Sequence, residues 1–360
     1  MTHLDAFRRE LALAGADAAI LSDGLNQRYL SGFAFDDGLL LVTKENAYLL
    51  TDFRYEEAAR AEANPGWTIL TPGRGQMLID IASFLAKENC KTVFVEEDSL
   101  TLKTFDRFAE KLSEVTLTKG ASALLSTLRR KKDTLELETI AKAQAITDAA
   151  FSHILKVLTP NMTEIEVALE LETFMRKQGA EGLAFNTIAV SGSNSSKPHG
   201  VPRPVKLEKG FLTMDFGAKY AGYCSDMTRT VVLGKADHEM KKLYETVKKA
   251  QEAALEAAHE GVSCKDLDGI ARKIIDDAGY EGRFGHSLGH GVGLYIHETP
   301  NLAPGVDPAV KLERGHVVTF EPGIYVPGKY GCRIEDMACI KENGEFYDFT
   351  KSPKELIELF

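Results

Sequence analysis

Residues 211–233 read FLTMDFGAKYAGYCSDMTRTVVL. Two apolar runs flank Tyr220 to Gly222, the layout of a β-hairpin, and each strand carries one aspartate, Asp215 and Asp226. A two-residue turn at Tyr220-Ala221 sets these aspartates directly opposite, whereas a turn at Ala221-Gly222 makes them diagonal neighbours on one face. Either register brings two carboxylates together. Like charges so placed destabilise a sheet, and burying an ionised carboxylate beside Met214 and Phe216 is costly unless a cation or a shared proton compensates. A metal ion is the natural compensation.

A second hairpin repeats the arrangement. HVVTFE (316–321) and CRIEDMACI (332–340) flank PGIYVPGKYG, a turn rich in Gly and Pro, and Glu321 and Glu335 lie symmetrically about Gly328. That symmetry permits cross-strand pairing on one face, so two more carboxylates can converge. Between the hairpins runs GHSLGHGVGLYIHETP (285–300), whose glycines let the backbone approach a ligand or another strand closely, with His290 projecting from the loop. Four carboxylates and one imidazole suit Mn²⁺, Co²⁺, Zn²⁺ or Fe²⁺ better than they suit a sulfur-rich structural zinc site. Two divalent ions about 3.5 to 4 Å apart would nearly neutralise the cluster and generate hydroxide at neutral pH. Hydrolysis of an acyl or phosphoryl bond is the implied chemistry.

Outward from these hairpins, helical spacing covers about 135–158 and 163–178, then 237–260 and 263–278. A shift of 100 residues sets Val167 on Leu267, Phe174 on Ile274, Gly179 on Gly279 and Gly182 on Gly282, the mark of a duplicated α+β unit with one half on each side of a cleft. The first third alternates strands with helical patterns and predicts an α/β domain. The basic run Arg129 to Lys132 marks the boundary as a solvated helix start, giving domains 1–125 and 126–360. A formal charge of −10, from 53 acidic against 43 basic residues, argues against a nucleic-acid partner. Apolar runs stay short of a membrane span, and the first ten residues lack a signal-peptide layout, so a cytoplasmic protein is expected. Five cysteines with no CxxC pair are read as reduced and structural.

The order MDFGAKYAGYCSD, GHSLGHGVGLYIHE, TFEPGIY, CRIED resembles the pita-bread dinuclear metallopeptidases, and within them the Xaa-Pro peptidases, prolidase and aminopeptidase P. NQRYLSGF (26–33) and TDFRY (51–55) are similar to the creatinase-type N-terminal domain. The resemblance implies that Asp215, Asp226, His290, Glu321 and Glu335 hold two divalent ions, Mn²⁺ or Co²⁺ before Zn²⁺ or Fe²⁺, with Asp226 and Glu335 bridging both. It sets His199 at the scissile amide, His297 near the substrate carbonyl or leaving group, and Arg333 beside the bridging glutamate, where it would orient Asp226 or hold substrate. The implied reaction is attack by a metal-bridging hydroxide on the carbonyl preceding proline, Glu321 taking the proton. It further implies a homodimer acting on a proline-containing dipeptide, an Xaa-Pro dipeptidase; an aminopeptidase acting on longer peptides is the alternative. A catalytically silent peptide-binding module is the alternative of another class. His286, Cys224 and Tyr325 lie beside the motifs and are read as structural. Tyr295 stands where many relatives carry an acidic residue.

Overall fold

A computed structural model describes residues 1–360. Its contacts divide the chain into Met1–Arg129 and Arg130–Phe360. The division follows the end of the helix Ala121–Arg130, a few residues beyond the expected 125/126, because that helix buries Ala121, Ser122, Leu125 and Arg129 within the first unit. The basic run is not simply a solvated helix start. Arg129 and Lys132 are both buried, and the Arg129 guanidinium donates to the Asn26 side chain.

In the first unit, strands β1 (Ala18–Leu21), β2 (Gly38–Thr43), β3 (Ala47–Thr51), β4 (Thr68–Leu70), β5 (Thr92–Val95) and β6 (Thr116–Lys119) form one sheet in the order β4-β3-β2-β1-β5-β6. β1 pairs antiparallel with β2 and parallel with β5, which makes it the central strand, and all four of its residues are buried. A strand enclosed on both faces is apolar without alternation, as AAIL is. A short helix, Gly24–Ser31, follows β1, begun by Asp23 as N-cap and ended by Gly32 in the left-handed region.

The second unit holds two helix pairs, Thr134–Val157 with Glu164–Lys177 and His238–Ala257 with Cys264–Ile275. Capping sets where they begin. Asp133 and Glu136 form a capping box, as do Thr163 and Glu166, each satisfying backbone N–H groups that a helix start leaves without partners. The 100-residue shift carries Thr163 onto Ser263, both N-caps, and each makes an isolated antiparallel bridge to a downstream lysine, Lys206 and Lys311. The duplication is therefore visible in the backbone as well as in residue identities.

Each helix pair packs on strands. After a two-residue β7 (Gly182–Leu183), β8 (Ile188–Ser191), β9 (Gly210–Phe216) and, past the short β10 (Ala218–Tyr220) and β11 (Tyr223–Cys224), β12 (Met227–Leu233) lie in the order β12-β9-β8. Ile154, Val167 and Leu171 of the first pair pack there against Leu212, Met214 and Phe216. In the other half β13 (Gly289–Gly291), β14 (Glu298–Leu302), β15 (Val317–Phe320) and β18 (Asp336–Ile340) lie in the order β14-β13-β15-β18, and β16 (Gly323–Val326) pairs with β17 (Tyr330–Arg333). Burying Phe216 and Phe320 completely contributes about 2 to 3 kcal/mol each on the transfer scale. No helix is long and apolar enough to cross a membrane.

Candidate active site

Tyr220 pairs with Tyr223, so the first hairpin turns at Ala221-Gly222, with Ala221 and Gly222 both at positive φ. The same register continues into β9 and β12, where Asp215 faces Thr228. Asp226, two residues back, is thus the diagonal neighbour of Asp215, the second of the two registers the sequence allows. In the second hairpin, Phe320 pairs with Asp336 and Gly323 with Arg333, a register that sets Glu321 opposite Glu335. His290 sits in β13, a strand rather than a loop. Gly289 next to it lies so close to β15 that an added Cβ would meet the Thr319 carbonyl oxygen at 1.9 Å.

These elements converge. Asp226, His290 and Glu335 are all buried, and one potential ligand atom from each lies within 4.8 Å of the others. His290 Nε2 is 3.5 Å from Asp226 Oδ2 and 3.4 Å from Glu321 Oε1. His290 Nδ1 is 3.0 Å from the Gly291 carbonyl, which fixes the proton there and leaves the Nε2 lone pair pointed at carboxylate oxygens. Burial pushes the imidazole pKa down to about 4, so a proton on Nε2 does not bridge the gap at neutral pH. Burial and the mutual repulsion of the acidic groups push Asp226 and Glu335 well above the carboxylate range, and burial pushes Glu321 up to about 8. Asp215 Oδ1 is buried with no hydrogen-bond partner. A lone pair aimed at carboxylates, an orphaned carboxylate oxygen and an oxygen-rich donor set fit divalent cations.

Arg333 is the cation beside this cluster. Its Nη2 donates to Asp215 Oδ2 at 2.6 Å, its Nε to Thr228 Oγ1 at 2.9 Å, and its Nη1 to the Tyr325 hydroxyl at 2.7 Å and the Pro198 carbonyl at 3.3 Å. The expected support of Asp226 is thus corrected: the guanidinium grips Asp215, because β17 runs alongside β9. Thr228 in turn donates to Glu335 Oε2 at 2.7 Å. His199 and His297 are exposed, and the His297 ring lies edge-on to His290 with centroids 4.4 Å apart. Burial and the neighbouring His199 lower the His297 pKa. All the side chains singled out for chemistry line one cavity of about 660 Å³.

Two of the residues read as structural, Tyr325 and His286, reach the site, and so does Thr228. Tyr325 accepts from Arg333, and its hydroxyl lies 2.9 Å from His286 Nε2, while His286 Nδ1 bonds the Ser287 carbonyl; His286 also lines the cavity. Tyr325 and His286 therefore belong to the hydrogen-bond chain that ends on Asp215 rather than to the core alone. The GHSLGH context was the available signal for His286. Thr228 had none, since one threonine among the apolar residues of a strand is ordinary. The cysteines are free and buried, as structural residues are.

Known proteins share this arrangement of sequence and fold. The model of metallopeptidase family M24 matches residues 138–342, and that of the creatinase/prolidase N-terminal domain matches residues 3–131. An Xaa-Pro dipeptidase of Pyrococcus furiosus is 38% identical over 95% of each chain. Among solved structures, an Xaa-Pro dipeptidase from Bacillus anthracis superposes with a TM-score of 0.93 at 39% identity, covering 99% of each chain. An X-Pro aminopeptidase from Thermotoga maritima superposes with a TM-score of 0.90 at 35% identity, covering 98% of this chain and 100% of that one. The chain belongs to metallopeptidase family M24, with a creatinase-type N-terminal domain and a pita-bread catalytic domain.

Proposed function

We propose that this protein hydrolyses the peptide bond preceding proline, acting on Xaa-Pro dipeptides. The observation that carries the proposal is the buried cluster of Asp226, His290 and Glu335, with the His290 lone pair turned toward carboxylates. Asp215, Asp226, His290, Glu321 and Glu335 would hold two divalent ions, Mn²⁺ or Co²⁺. Such ions supply a nucleophilic water at neutral pH and polarise the scissile carbonyl. Glu321, an anion once it is a ligand, accepts the proton at its carboxylate. His199 and His297 donate hydrogen bonds to the carbonyl oxygen as it gains charge, and one of them delivers the proton that the departing proline nitrogen requires. Arg333 fixes Asp215 through a charge-assisted bond.

One observation favours a second reading, cleavage of longer peptides. Arg333 is the only Lys or Arg among the residues lining the cavity, and its nitrogens are committed to Asp215, Thr228, Tyr325 and Pro198. The cavity lining itself thus offers no uncommitted guanidinium to a free proline carboxylate. Metal-loaded protein should hydrolyse Ala-Pro, and chelation should abolish the activity. No hydrolysis of any Xaa-Pro bond overturns the proposal, and Ala-Pro-Ala cleaved faster than Ala-Pro selects the second reading. A homodimer, carried by the family resemblance, is tested by light scattering.

A further inference from the structure

Glu164 is a carboxylate with no exposed surface at the start of the helix Glu164–Lys177, outside the metal cluster. Its Oε1 accepts from Ser191 N at 2.8 Å, Ser191 Oγ at 3.0 Å and Arg203 Nη2 at 2.9 Å. Its Oε2 accepts from Asn194 Nδ2 at 3.0 Å and from Arg203 N and Nε, both at 2.9 Å. A helix start needs no such receptor, since Thr163 and Glu166 already cap it. Burial raises the Glu164 pKa, but the Arg203 guanidinium and the Ser191 amide outweigh it and hold the carboxyl below its ordinary value.

The partners of Glu164 share one property: they border the segment 197–203, KPHGVPR, which carries His199. Ser191 ends β8, and Asn194 follows it in a short 3₁₀ turn. Asn194 Nδ2 also donates to the Val201 carbonyl at 3.2 Å, two residues past His199. Arg203 closes the segment, and its carbonyl accepts from Ile165 N at 3.3 Å. On the other side of His199, Arg333 donates to the Pro198 carbonyl. His199 itself is exposed on the cavity wall, and no hydrogen bond holds its ring. Its place is set by the backbone, a turn in which Gly200 N bonds the Lys197 carbonyl at 3.0 Å, held between an anchor on Arg333 and an anchor on Glu164.

We infer that Glu164, with Arg203, is a positioning residue for the reaction, clamping the 197–203 segment so that His199 is held at the scissile amide. The inference rests on the role given to His199 above. An unclamped segment would leave His199 misplaced by about an ångström, a displacement that costs up to about 10²-fold in rate.

The test compares Glu164→Gln and Arg203→Met, each made alone and in a His199→Ala background, by kcat and KM on Ala-Pro with metal content measured. Each single variant should lower kcat about tenfold with KM and metal content little changed, and should lower it no further in the His199→Ala background. Hydrogen exchange at the amides of Ser191 and Arg203 should accelerate while that of β9 and β12 does not. Equal losses with and without His199 show general destabilisation and overturn the inference, as does full kcat in both single variants. If wild-type protein cleaves no Xaa-Pro bond, the function fails first. The clamp is then read from the His199 imidazole NMR signal, which the variants should broaden or shift; an unchanged signal overturns it.

Discussion

Replacing Thr228 by valine tests how the metal cluster is held, because it removes one hydroxyl at nearly constant shape. Thr228 is fully buried, and its Oγ1 joins two charged groups, donating to Glu335 Oε2 at 2.7 Å and accepting from Arg333 Nε at 2.9 Å. A hydrogen bond to a charged group contributes about 1.5 to 3 kcal/mol net. The loss bears more heavily on the metal-bound state. There Glu335 must be an anion, whereas without metal burial and the neighbouring acidic groups push its pKa up and favour its neutral form, which needs the donor less. About 2 kcal/mol of differential cost corresponds to roughly 30-fold weaker metal binding at pH 7.5, within the 10- to 100-fold range for residues that orient ligands. Competition against a chelator of known affinity measures it. Affinity within about twofold of wild type, in a variant that folds, would refute the idea that Thr228 supports the anionic Glu335.

Three further outcomes are expected. His297→Ala should lose about 10²-fold in kcat with metal content intact, and an unchanged rate removes it from proton transfer. In chelated protein the folded-state pKa values of Glu321, Asp226 and Glu335 lie above their ordinary values, that of Glu321 at about 8. These three groups contribute stability below the ordinary carboxylate pKa that is lost as pH rises toward 8, and the decline shows above about 6.5, where the neutral His286, His290 and His316, held down to about 4, no longer oppose it. Metal loading at pH 7 should release protons and flatten that decline; urea midpoints that rise with pH in chelator count against it. Arg229→Met should cost about 3 to 5 kcal/mol, because Arg229 is fully buried and bonds Asp336 and the carbonyls of Glu335, Ser352 and Pro353. A loss below about 1 kcal/mol in urea denaturation would show that Lys354, also on Asp336, suffices.

Much of the site was legible because charge inside an apolar strand needs a reason. Asp215, Asp226, Glu321 and Glu335 stand out against their apolar neighbours in the sequence, and the glycines around His290 mark a close approach that Gly289 does make to Thr319. Helix boundaries were legible through Asp133 with Glu136 and Thr163 with Glu166, since capping is local chemistry. What depended on tertiary pairing was not legible. Nothing in CRIED tells whether the arginine reaches Asp215 or Asp226, because the choice depends on β17 lying beside β9. Lys132 is likewise buried within the catalytic unit, where its amide bonds the Gly315 carbonyl, and a run of basic residues gives no hint of that.

The deeper reason lies in where the candidate ligands stand. Asp226 falls between β11 and β12, Glu321 between β15 and β16, and Glu335 between β17 and β18, each at a point where the chain leaves one sheet for another. At these breaks the backbone groups bond to a different element: Glu321 N to the Leu288 carbonyl at 2.7 Å, and Glu335 N to the Thr228 carbonyl at 3.1 Å. A strand that continued in one sheet would send alternate side chains to opposite faces and keep carboxylates on neighbouring strands in fixed ranks. A strand that breaks can turn its carboxylate toward the other half of the duplicated unit. The period-two pattern assumes unbroken strands, so it identifies which residues are acidic and buried but not the bend that lets them meet. The bend explains why three of the four candidate carboxylates, Asp226, Glu321 and Glu335, stand at sheet changes and can surround a common point with His290 of β13, while Asp215 reaches the cavity from within β9 and Asp336, inside β18, is buried against Arg229 instead.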